Sequence, residues 1–147
     1  MKQERIDKLL KNKQIIIKTQ NKEIIKSLLD AAAETAEVAL SIPLIEKNST
    51  TIFRELYEAI RQLGDAFWWL LGYESQNHDT SLEILKDLDF LEENQKVKLQ
   101  HINRFQAIRN DANYRGFKVS LTQAEEFIEF WNQIGKSILS NLKKQVK

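Results

Sequence analysis

The chain has 147 residues, no cysteine, two histidines, four glycines, one proline and a formal net charge of +1. That length suits one domain spanning 1–147, large enough to bury a core without staples. The composition excludes disulfides, thiolate metal sites and a cysteine nucleophile, leaves too few soft ligands for an all-protein zinc site, and supplies too few turn residues for a β-rich fold. The apolar runs are too short to span a bilayer, and the charged start from Lys2 lacks the apolar core of a signal peptide, so a cytoplasmic location is expected.

Residues 3–20 carry Ile6, Leu9, Leu10 and the run Ile15–Ile17. They read as one helix or as a helix that breaks near Asn12; the β-branched run makes this stretch, 1–21, a less regular N-terminal extension. Seven basic residues against two acidic ones lie between 2 and 22, and four lysines without an acid follow Gly135. These basic ends are either solvated helix termini or, if they converge, a surface for anions.

A helix over 22–41 follows from Ile24, Ile25, Leu28, Leu29, Ala32, Ala36 and Ala39, and Pro43 ends it. Ser49, Thr50 or Thr51 caps a helix over 51–72 whose stripe is Ile52, Leu56, Ile60, Leu63, Phe67 and Leu71, with Gly72 as its stop. Phe67-Trp68-Trp69 diverge by about 100° per residue, so one ring must meet another helix or a second copy of the chain. After a polar connection over 74–79, Asp79 or Thr80 caps a short helix bearing Leu82, Leu85 and Leu88. His78 reads as a loop residue before that cap.

A helix over 92–113 uses Val97, Ile102, Phe105, Ile108 and Ala112. His101 falls on the same stripe and reads as a core histidine, too far along the axis to serve Arg109. Ser120 or Thr122 caps the last helix, which uses Leu121, Phe127, Phe130 or Trp131, Ile134, Ile138 and Leu142. The pattern is all-α, an up-and-down antiparallel bundle of five or six helices.

The chemistry-bearing stretch is Arg109-Asn110-Asp111-Ala112-Asn113-Tyr114-Arg115-Gly116. Arg109 and Asn113, four apart, share a helix face, and Arg109 borders the buried stripe set by Phe105, which places its fork at an edge. Polar groups at a frayed helix end beside a glycine turn commonly face a ligand. The same residues also fit a structural role, with Arg109 pairing to an acid on another helix and Asn113 capping a carbonyl. On the preceding long helix Arg54, Glu58, Arg61 and Asp65 form an ion-pair ladder, either simply solvated or aimed so that Glu58 orients Arg109.

The motif resembles that of the HEPN superfamily: an arginine, a polar residue that is usually asparagine, and a histidine four to six positions after the arginine. The segment Phe53-Arg54-Glu55-Leu56-Tyr57-Glu58-Ala59-Ile60-Arg61, the exit Gly72-Tyr73 followed by His78, and the turn Tyr114–Ser120 look like the surrounding parts of that bundle. The resemblance covers about residues 24–142. It implies a dimer, RNA or nucleotides as ligand, metal-independent endoribonuclease chemistry without a cofactor, and a toxin–antitoxin setting beside a minimal nucleotidyltransferase partner. The implied site comprises Arg109 and Tyr114 at the reacting phosphate, with Asn110, Asn113, Glu58 and Arg61 orienting substrate.

Two departures bear on activity. Tyr114 stands at the histidine position, and a phenol titrating near about 10 is a poor base near neutrality. Gly116 stands where the toxin branch carries a tyrosine that receives nucleotides. A non-catalytic helical adaptor or a structural four-helix-bundle protein is therefore the other reading. An Arg109 enclosed by carboxylates, or turned from every hollow, would remove the case for an anionic ligand.

Overall fold

The computed structural model describes residues 1–147. Six helices have nine residues or more: α1 (Gln3–Lys11), α2 (Lys22–Ser41), α3 (Ser49–Leu70), α6 (His101–Arg115), α7 (Leu121–Phe130) and α8 (Lys136–Gln145). Two six-residue helices, α4 (His78–Glu83) and α5 (Glu93–Lys98), lie between α3 and α6. The expected all-α bundle is what the chain forms. No helix is long and apolar enough to cross a membrane.

The N-terminal stretch breaks at Asn12, as one of its two readings had it, but the residues beyond the break are not helical. The chain reverses through Lys13, whose φ of 57° is left-handed, into strand β1 (Ile15–Ile17), which pairs antiparallel with β2 (Tyr73–Ser75). Three successive β-branched residues favour the extended form. Ile15 is buried while Ile16 and Ile17 face outward, so the strand turns only its first side chain to the core. This short ribbon ties the N-terminus to the exit of α3, where Gly72 takes φ 91°.

α2 begins at Asn21, whose side chain accepts from the backbone N–H groups of Glu23 (3.0 Å) and Ile24 (3.2 Å). It ends at Ile42, which is extended ahead of Pro43. Its buried small residues Ala32, Ala36 and Ala39 let it lie close along α3. α3 occupies the middle of the molecule, packed also against α4, α6, α7 and α8. That position accommodates the aromatic triplet within one chain. Trp68 and Trp69 are buried, Phe67 packs half-buried against the core, and the Trp68 indole N–H donates to the Thr80 carbonyl at 2.8 Å.

The start of α3 is not capped by a hydroxyl. A 3-10 turn over Glu46–Asn48 runs directly into it. Ser49 and Thr50 instead hold the segment before α7: the Ser49 hydroxyl donates to the Val119 carbonyl at 2.6 Å, and the Val119 N–H donates to Thr50 Oγ1 at 3.0 Å. The α6–α7 turn is thereby pinned to the core.

The helix expected over 92–113 is two helices. Leu99 is buried at the break and Val97, expected in the core, is 67% exposed. The break at Leu99–Gln100 re-phases the chain, so Ile102 and Phe105 continue a stripe that Val97 does not join. His101 is consequently exposed rather than a core histidine, with its Nδ1 3.2 Å from Arg104 Nη2. The choice between Phe130 and Trp131 also has a structural answer, since both are buried. A π-helical turn over Trp131–Gly135 joins α7 to α8, and its wider spacing brings adjacent side chains inward. Leu121, expected inside, is partly exposed.

α4 crosses α3 at Gly64. A Cβ built there would lie 1.9 Å from the Ser81 carbonyl oxygen, so the two backbones touch. Gly64→Ala should force the helices apart and destabilise the protein by about 1–3 kcal/mol, the cost of an overpacked core. Urea unfolding followed by tryptophan fluorescence measures this, and an unchanged midpoint would show that the crossing is not tight.

Candidate functional site

Three elements meet around the buried ring of Tyr57. α3 supplies Tyr57 together with Glu58, Arg61 and Asp65. α6 supplies Arg109 and Asn110. α4 begins at His78 and Asp79, with Asn77 capping it through a 2.9 Å bond from the Thr80 N–H to its side-chain oxygen. The Asp79 carboxylate accepts from the side-chain amide of Gln106, one turn before Arg109, so the start of α4 is fastened to α6. Ser81 adds a second tie, its hydroxyl donating to Asp65 Oδ1 on α3 at 2.5 Å.

Beneath the motif, Phe105 stacks on Phe127 with centroids 4.5 Å apart, and Phe53 meets Phe127 edge-on at 4.6 Å. These rings fix the rotation of α6. Its last turn is held by Arg54, which donates to the Ala112 carbonyl at 3.2 Å. Gly116 then turns left-handed at φ 70°, and the Phe117 N–H donates back to the Asp111 carbonyl at 3.2 Å, a glycine-closed helix end.

The Arg109 guanidinium is half-buried between two tyrosines, with its carbon 5.1 Å from the Tyr57 ring centre and 6.0 Å from that of Tyr114. Its one hydrogen bond within the chain runs to the side-chain oxygen of Asn110, at 3.2 Å. No carboxylate pairs with it: the ion pairs of the protein engage Arg5, Arg61, Arg104, Arg115, Lys96, Lys118 and the N-terminus. The expectation that Glu58 orients Arg109 is therefore corrected. Glu58 is gripped by Arg61, through Nε at 3.0 Å and through Nη2, and Arg61 Nη1 also reaches Asp65 at 2.5 Å. The ladder forms only over Glu58–Arg61–Asp65, because Arg54 leaves it for the end of α6. Tyr114 is 77% exposed, and Asn113 is exposed without a hydrogen-bond partner in the chain.

The site thus brings Arg109, Asn110 and Tyr114 together, leaves Asn113 at its rim, and turns Glu58 and Arg61 toward each other. Two further participants are Tyr57 and His78. The Tyr57 hydroxyl is buried without a hydrogen-bond partner. Burial pushes its pKa up to about 12, against the opposing field of Arg109. His78 lies within the field of both Arg61 and Arg109, and its pKa is lowered, first by desolvation and then by those two cations. Tyr57 was visible as a residue one helical turn before Arg61. His78 was visible as part of the exit loop after Gly72-Tyr73, but nothing in its spacing related it to Arg109.

No group of three or more His, Asp or Glu side chains is arranged to hold a metal ion. An open cleft of about 420 Å³ lies elsewhere, between α5–α6 and α7, lined in part by Lys98, His101, Arg104, Glu126 and Phe130. Its charges are largely satisfied internally, Arg104 by Glu126 and Lys98 by Gln133. Arg109 does not line that cleft; it fills the gap between its two tyrosines. No family model matches the chain, and neither a curated protein nor a solved structure matches it.

Two measurements check this geometry. Tyr57→Phe removes an unpaired buried hydroxyl and should leave stability unchanged or raise it by up to about 2 kcal/mol, where removal of a satisfied hydroxyl would lower it. His78 should titrate below the ordinary imidazole value of about 6.5 by NMR, and Arg109→Gln should move it back toward that value. Because the folded chain then binds a proton at His78 less readily than the unfolded chain, this residue's contribution to stability is present above about pH 6.5 and declines as the pH falls through the histidine's range.

Proposed function

We propose that the protein is a HEPN-like RNA-binding bundle in which Arg109 receives a backbone phosphate and Tyr114 offers a stacking surface to a neighbouring base. One observation carries this reading: the guanidinium of Arg109 is held in place by two aromatic rings and an amide, with no carboxylate to neutralise it. A fixed arginine without a counter-ion at a protein surface is suited to an anion supplied from outside. Tyr114 suits a base because every base has a π-face, and stacking on a tyrosine tolerates any sequence. Arg109 lines none of the larger hollows of the molecule, which counts against an enclosed nucleotide; the case for an anion rests on the guanidinium being half-buried and free of carboxylates.

A homodimer belongs to the same proposal. Tyr114 at the end of α6, Phe117 in the turn and Leu121 at the start of α7 expose apolar surface, and a second copy meeting that surface would bring two arginines toward one strand. A nucleotidyltransferase partner and a toxin–antitoxin setting rest on the family resemblance alone, and Gly116 provides no acceptor for a transferred nucleotide.

The non-catalytic adaptor is supported by Tyr114 itself, since a phenol at the histidine position is a weak proton acceptor near neutral pH. In that case the surface binds RNA or a protein and does no chemistry.

Fluorescence anisotropy with a labelled single-stranded RNA tests the binding proposal. Arg109→Ala should weaken binding about tenfold or more, since a charge-assisted hydrogen bond disappears, and should reduce the salt slope by about 0.7 for each phosphate no longer neutralised. Tyr114→Ala should weaken it roughly 5- to 150-fold, as stacking worth about 1–3 kcal/mol implies, while Tyr114→Phe keeps most of the affinity. Equal binding by wild type and Arg109→Ala would remove Arg109 from the interface.

A further inference from the structure

We propose that the outer face of α2 is the docking site for a basic amphipathic helix of a partner protein.

α2 carries two apolar stripes, each repeating at intervals of four and three residues. Ile25, Leu29, Ala32, Ala36 and Ala39 are buried and form the face that packs on α3. Ile24, Leu28, Ala31, Thr35 and Val38 each stand one residue earlier, so their stripe lies about 100° further round the helix. α2 packs chiefly on α3 and to a lesser extent on α8, and neither closes over this second stripe. Its first four residues are half-buried and Val38 at its end is 60% exposed. Two open hollows follow it. One of about 490 Å³ lies against Glu23, Ile24, Leu28 and Ala31. The other, of about 310 Å³, lies where Ile24 and Leu28 face Trp69 and Glu74. Because both are floored by Ile24 and Leu28, they form one groove. A four-three repeat is the spacing by which the side chains of one helix enter the gaps of another.

Charge around the groove selects the occupant. One residue earlier again come Glu23, Ser27, Asp30, Glu34 and Glu37, all exposed. Glu74 borders the groove from the β2 side. No ion pair of the protein engages any of these carboxylates. The lysines of α2 fall on its far side, where Lys26 lines a separate hollow with Lys143 of α8. Two copies meeting through α2 would bring their acidic rows together, and RNA would meet the same repulsion. A partner helix with an apolar stripe at three- and four-residue intervals, flanked by lysine or arginine, satisfies both the groove and its charge. Arg109 stands on α6 and takes no part, so this docking site is independent of the RNA-binding reading.

The test uses the full chain and two labelled synthetic helical peptides of about 18 residues, long enough to follow the stripe. Both carry leucines at the four-three spacing; one has lysines beside them and the other glutamates. By fluorescence anisotropy at low salt, wild type should bind the lysine peptide at least about tenfold more tightly than the glutamate peptide, and the difference should shrink as salt rises. Val38→Asn should weaken the lysine peptide about three- to tenfold, the loss expected for one partly covered valine. Val38 is exposed enough for this change to spare the fold, which circular dichroism confirms. The triple change Glu23→Lys, Glu34→Lys and Glu37→Lys should reverse the preference. Failure of the lysine peptide to bind, equal binding of the two peptides, or binding that neither set of changes alters overturns the proposal. So does a wild-type dimer in sedimentation that Val38→Asn dissociates, which would give the face to a second copy. Single-stranded RNA that binds less tightly to Val38→Asn than to wild type would likewise give the face to RNA and overturn the assignment.

Discussion

Arg61 holds two carboxylates at once, and the character of the surface above it depends on that grip. α3 is packed against neighbours along its length, so charges on its α4- and α6-facing side cannot all rely on water. Glu58 and Asp65 lie one turn to either side of Arg61 and converge on it, and desolvation is the largest influence on Asp65, raising its pKa. A single arginine placed between two acids satisfies both and leaves neither for the next helix. Neither acid pairs with Arg109, whose neighbour on α3 is the ring of Tyr57.

The second consequence concerns orientation. A guanidinium without a carboxylate needs another constraint to keep from sweeping through solvent. Here the constraint is largely apolar. Tyr57 lies below it, Tyr114 beside it, and Asn110 provides the one polar contact. Cation–π contacts hold an arginine without neutralising it, so the charge stays available to an anion. The cost falls on Tyr57, whose buried hydroxyl lacks a partner. An unpaired buried hydroxyl of this kind costs on the order of 1–3 kcal/mol.

How much of this was legible in the sequence depended on whether local chemistry or tertiary packing decided each feature. α2 was legible to the residue, because Pro43 and the alanine spacing act locally. The break at Leu99–Gln100 was not, because Val97, Leu99 and Ile102 are all apolar and only packing selects which of them enters the core. β1 was missed because three isoleucines form a strand only when an edge is offered, and β2 lies far along the chain. The π-turn left its trace as an open choice between Phe130 and Trp131. Within the site, Arg109, Asn110 and Tyr114 were legible because helical spacing relates them to Phe105 and to one another. The pairing of Glu58 was not, since a carboxylate between two arginines has no preference that spacing alone reveals. The tie from Asp79 to Gln106 was hidden for the same reason as β1: it forms only once α4 crosses α3.

That crossing gives the site an uneven mechanical basis. Arg109 stands on a helix whose buried face is an aromatic stack, so its position is as secure as the core. Asp79 stands on a six-residue helix that could not persist alone, since so short a segment forms few of the bonds that offset its ordering. α4 keeps its place through a glycine contact, a serine bonded to Asp65, an indole bonded to the Thr80 carbonyl and an aspartate bonded to Gln106. Each of these ties ends on α3 or α6. A disturbance that lifts α4 would therefore break the Asp79–Gln106 tie while leaving Arg109 and its tyrosines intact. The proposed grip on a phosphate therefore rests on α6 and its aromatic stack, and the start of α4 beside it is the less stable part of the same surface.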